Sequence, residues 1–104
     1  MGVKNAYSQT EDFKATASEA GKGVSVGSST TTVLAANASR VAATFVNDSN
    51  ETIYLRLGAT AVMNEGVRLN AGGGCYEINQ LNLYTGTVTA ICSSGSKVLC
   101  VTET

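Results

Sequence analysis

RVAATFVNDSNETIYLRLG, from Arg40 to Gly58, is the stretch on which the fold class turns. Two runs rich in β-branched and aromatic residues, Arg40 to Asn47 and Thr52 to Leu57, flank the turn-forming cluster Asp48-Ser49-Asn50-Glu51. Short runs of this kind, bounded by Asn, Asp, Ser and Gly, are strands. A turn at 48–51 predicts a hairpin with Val46 opposite Ile53, Thr44 opposite Leu55 and Ala42 opposite Leu57 on one face. The other face then carries Phe45 with Tyr54, Ala43 with Arg56, and Val41 near Gly58. A half-exposed antiparallel sheet alternates apolar and polar residues. Here both faces keep apolar groups, so the sequence predicts strands covered twice. The second cover comes either from neighbouring subunits or from loops and the N-terminal segment of the same chain.

Working outward, the same texture recurs. Thr31 to Ala35 is a strand entered through Gly27-Ser28-Ser29 and left through Asn37-Ala38-Ser39. Val62-Met63 and Val67-Arg68-Leu69 flank a compact turn, Asn64-Glu65-Gly66, in which Gly66 can supply a positive φ. Cys75 to Ile78 is a short strand, Leu81 to Tyr84 is read as another, and Gly86 to Cys92 with Lys97 to Glu103 as a closing hairpin. The closing strand also has apolar groups on both sides, Val98 and Cys100 against Leu99 and Val101. About seven to eight short antiparallel strands predict an all-β fold, a single β-sandwich or barrel over residues 24–104. Residues 1–23 form an N-terminal arm, extended or partly helical. Thr10-Glu11-Asp12 start a short helix that runs through Ala20 and stops at Gly21. Its apolar face, Phe13, Ala17 and Ala20, is too thin to fold alone. Tyr7 and Phe13 are the groups with which this arm can anchor in a pocket.

Composition narrows the chemistry. The chain has 104 residues, which allows one domain. Charged residues are 14% of it, with a net charge of −1, so it carries no electrostatic footprint for nucleic acid. No apolar run approaches the ~18 residues of a membrane-spanning helix. Met1 to Asn5 lacks the apolar stretch of a secretion signal, so synthesis in a reducing cytoplasm is expected. There is no His, which removes the commonest general base and metal ligand. The expectation is a protein that is not an enzyme, with no cofactor, no metal and no small-molecule substrate.

The remaining motifs read as structural. Gly72-Gly73-Gly74 lacks the Gly-Lys-Ser/Thr of a phosphate loop and is followed by no helix, so it is a loop with unusual backbone angles. Asp48, Glu51, Glu65 and Glu77 lie mostly in turns, and nothing in their spacing sets two of them across a cleft as glycoside hydrolysis requires. Cys75, Cys92 and Cys100 have no C-x-x-C spacing and are read as small buried hydrophobes. In the closing hairpin Cys92 would oppose Lys97 and Cys100 would oppose Thr89, so the two thiols are not cross-strand partners. The tyrosines, Tyr7, Tyr54, Tyr76 and Tyr84, are scattered and there is no Trp, which makes a poor sugar platform. Arg40, Arg56 and Arg68 are expected at subunit contacts or sheet edges rather than on nucleic acid.

The order of segments resembles a known group. SSTTTVLAA (Ser28–Ala36) leads through Asn37 and Arg40 to ATFVN (Ala43–Asn47) and DSNETIYLRLG (Asp48–Gly58). GVRL (Gly66–Leu69), AGG (Ala71–Gly73) and YTGTVTAI (Tyr84–Ile91) follow. Over residues 25–103 this is similar to small β-sandwich structural proteins of tailed bacteriophage particles. The arm lies outside the match, and the matching motifs are structural rather than catalytic. The resemblance implies a virion protein: a head decoration or cement protein, a head fibre, or a tail or fibre-base subunit. On the first reading, the partners are the chain itself, as a trimer or other small homo-oligomer, and the major capsid protein. The location is then the capsid surface. Tyr7, Phe13, Val41, Phe45, Tyr54 and Arg56 are the expected oligomer or capsid interface. A host-glycan-binding module is the remaining alternative.

Overall fold

The computed structural model of the protein describes residues 19–104. Those residues form eight strands and no helix: β1 (Glu19–Val26), β2 (Thr31–Leu34), β3 (Ala43–Asn47), β4 (Ile53–Leu57), β5 (Val67–Leu69), β6 (Cys75–Ile78), β7 (Val88–Ile91) and β8 (Lys97–Glu103). They build two four-stranded sheets, β1-β8-β3-β6 and β2-β7-β4-β5, with every pair antiparallel. Strands pair as β1 with β8, β2 with β7, β3 with β6 and β4 with β5. The chain is one long hairpin with β4–β5 at its tip, rolled up so that β3 also meets β8 and β4 also meets β7. This is jelly-roll topology. The expected all-β sandwich is present.

Alternation places the core. On β3, Ala43, Phe45 and Asn47 point between the sheets, and on β4 Ile53 and Leu55 do the same. The four apolar ones meet Val26, Leu34, Leu69, Ile78, Val88 and Leu99 in one apolar cluster. At about 25 cal/mol per Å² of buried apolar surface, this cluster is the main stabilising term.

Three expectations about pairing are corrected. First, β3 and β4 are not a hairpin. They lie in opposite sheets, and 48–52 crosses between the layers. No residue of 48–51 has a positive φ, so the segment lacks the left-handed residue that tight hairpin turns use. Asp48 instead donates its N–H to Val98 O, 3.0 Å, continuing the β3–β8 ladder. Second, β7 and β8 are likewise in opposite sheets. Cys100 pairs with Gly23 and Val46 rather than with Thr89. Third, Leu81 to Tyr84 is no strand. Asn79 and Asn82 fold it into a turn: Asn82 Oδ1 accepts the Asn79 N–H at 2.7 Å and Asn79 Oδ1 accepts the Leu81 N–H at 2.8 Å. Such side-chain brackets compete successfully with a sheet ladder.

The start of the β domain also moves. The sequence places no strand before Thr31; β1 spans Glu19–Val26, so strand structure begins before residue 24, and Ala20 is in this strand instead of ending a helix. Ala20, Gly21 and Gly23 have little strand preference of their own. Pairing with β8 recruits them, with an irregular register between Glu19 and Lys22. The rest of the expected helix, 10–18, lies outside the described residues.

The β4–β5 tip is the one place where consecutive strands pair. The turn before β5 uses positive φ at Asn64 (68°) and Gly66 (88°). A Cβ on Gly66 would collide with the Leu55 carbonyl, so this position requires glycine.

Candidate interaction surfaces

The glycine loop, Asn47 and Glu51 are committed to holding the fold. Gly72, Gly73 and Gly74 donate their N–H groups to Ser49 O, Asn47 O and Asn70 O at 2.9, 2.8 and 3.0 Å. The glycine loop therefore offers no ring of free amides to a phosphate. Buried Asn47 holds the loop from the other side, its Nδ2 donating to Glu51 O at 2.7 Å, Leu69 O at 2.9 Å and Asn70 O at 3.2 Å. The carboxylates do not converge. Glu51 accepts both the hydroxyl and the N–H of Ser94, which hold it below the usual glutamate range. Glu65 faces Arg56 across 3.8 Å, and Glu77 sits on the outer side of β6. Among the described residues no group of His, Cys, Asp and Glu is arranged to hold a metal ion.

Arg40 is the largest surprise among the basic residues. The sequence placed it at a subunit contact or sheet edge. It is 2% exposed and locked inside the molecule. Its Nε meets Glu103 Oε2 at 2.8 Å, Nη1 donates to Tyr84 O and Gly86 O, and Nη2 donates to Ala35 O at 2.6 Å. Asn37 Nδ2 donates to the same carboxylate oxygen. The cluster ties the β2–β3 and β6–β7 connections to the end of β8, so a residue that reads as surface charge is an internal clamp.

The outer face of the second sheet is covered by its own chain. Thr89 and Ile91 point outward from β7, yet are 1% and 9% exposed. The segment after β4 lies across them: Gly58 O accepts the Thr89 hydroxyl at 2.9 Å, and the Ala61 N–H donates to Thr30 Oγ1 at 2.9 Å. Beside this cover stand Tyr54, whose hydroxyl donates to Asn64 Oδ1, and the exposed Arg56 and Arg68. Of the two sources of cover the sequence left open, a loop of the same chain supplies this one.

The outer face of the first sheet has no such cover among the described residues. Gly23, Cys100, Val46 and Cys75 stand in register across all four strands. Val98, on the same side of β8, is 41% exposed. Thr102, Thr44 and Glu77 form the next row. Glu77 is the only charge at the outward positions of β8, β3 and β6.

The expected interface residues therefore scatter. Phe45 points inward and is 0% exposed, so it is core and not contact surface. The expected register had put it beside Tyr54. The crossing at 48–52 sends the two side chains to different sides of different sheets. Tyr54 and Arg56 share the outer face of the second sheet. Val41 is at the far end, where it lines a shallow recess of about 330 Å³ with Ala42, Leu81 and Thr104. Tyr7 and Phe13 lie outside the described residues. An open groove of about 590 Å³ separates the edges of β1 and β2, floored by Val33 and Leu34. The face that the sequence did not nominate, around Val46 and Cys100, left one signal: the apolar residues on both sides of β8.

The three thiols differ. Cys92 is buried, 2.7 Å from Ser94 O, and burial pushes its pKa up. Cys75 is exposed and Cys100 half-buried. A maleimide time course read by peptide mass mapping is expected to label Cys75 first, Cys100 next, and Cys92 only after unfolding.

Comparison with family models, with curated proteins and with solved structures finds no match to this chain.

Proposed function

We propose that the protein is a non-enzymatic structural component of a tailed-bacteriophage particle, a decoration or cement protein that binds the outer capsid shell as a homo-oligomer. The observation that carries this reading is the charge-poor outer face of the β1-β8-β3-β6 sheet, where Glu77 is the one charge at the outward positions of β8, β3 and β6, on a domain whose glycine loop, Asn47 and Arg40 are engaged in internal hydrogen bonds. Such a surface suits contact with other β surfaces and offers nothing to a small polar ligand. The order of segments from Ser28 to Ile91, similar to small virion proteins, supplies the particle. Jelly rolls serve in capsids, in lectins and in cupins alike, so topology alone does not choose among them. The side chains favour the first. A cupin-type centre relies on histidines, and the chain has none. A lectin-type platform would need exposed aromatics together. Tyr54 stands on the second sheet's outer face, Tyr76 is on the inner side of the first sheet, and the Tyr84 hydroxyl donates to Thr87 O.

Gold-labelled antibody against the chain, applied to particles made by the genome that encodes it, tests the reading. Label over the head is expected, with heads that lack the protein still assembling but opening at lower temperature. Label confined to the tail would move the protein to the tail or fibre base. Its absence from purified particles would overturn the reading.

A further inference from the structure

We draw no further inference here: the strongest candidate, the open groove between the edges of β1 and β2 floored by Val33 and Leu34, carries none, because nothing among the described residues shows what covers it.

Discussion

Phe45→Ala is expected to destabilise the protein by about 3–5 kcal/mol, as removal of a fully buried aromatic does. Phe45 sits at the centre of the first sheet's inner face, paired with Tyr76 on one side and Val101 on the other, with no exposed surface. The cavity left by its ring would be bounded by β8 and β6, which pair with β3 on either side, and by the facing sheet, so little collapse can fill it. Domains of this size have only about 5–15 kcal/mol in total. Urea unfolding should show the midpoint fall with the slope unchanged. The hairpin reading had placed Phe45 on a contact face, where its loss would weaken self-association directly. From inside the core, association should fall only as the folded fraction falls. Association lost while the fold is intact would contradict this placement.

Arg40→Met is expected to cost a similar amount, about 3–5 kcal/mol, for an electrostatic reason. The substitution keeps bulk but takes the guanidinium away from the buried Glu103 carboxylate, 4% exposed, which keeps the Asn37 amide, and leaves the carbonyls of Ala35, Tyr84 and Gly86 without their Arg40 donors. An uncompensated buried charge is costlier than the pair it came from is stabilising. The double variant Arg40→Met with Glu103→Leu should therefore recover part of the loss, and a double-mutant cycle by urea unfolding would measure how much. Arg40→Lys should not rescue, because an ammonium cannot reach in the directions that the guanidinium fork does. A single variant as stable as the parent would show that the clamp is dispensable.

The two cases mark where local pattern stops being informative. Strand positions were legible from β2 to β8 because turn residues and β-branched runs act over a few residues. The exceptions follow the same logic. Ala20 to Gly23 become strand only because β8 lies beside them. Leu81 to Tyr84 look like strand, but the Asn79–Asn82 bracket claims the backbone first. Pairing was not legible. A link such as 48–52 reads the same whether the chain folds back in one sheet or crosses to the other. That choice decided which side of each strand met solvent. Arg40, Asn47 and Glu103 are polar residue types whose usual place is the surface, and only their partners, brought from distant segments, explain their burial.

By itself the sequence determined an all-β fold of about seven to eight short strands, sandwich or barrel, the spans of most strands, and the lack of the histidine on which much catalytic and metal chemistry depends. These follow from side-chain type and short-range spacing. The tertiary structure alone decided the rolled-up strand order, the burial of the Arg40–Glu103 clamp, and which sheet is covered by its own loop. Each of these depends on contacts between segments far apart in the chain. Such contacts form where burial and hydrogen bonding are best satisfied together, and no local pattern records the outcome.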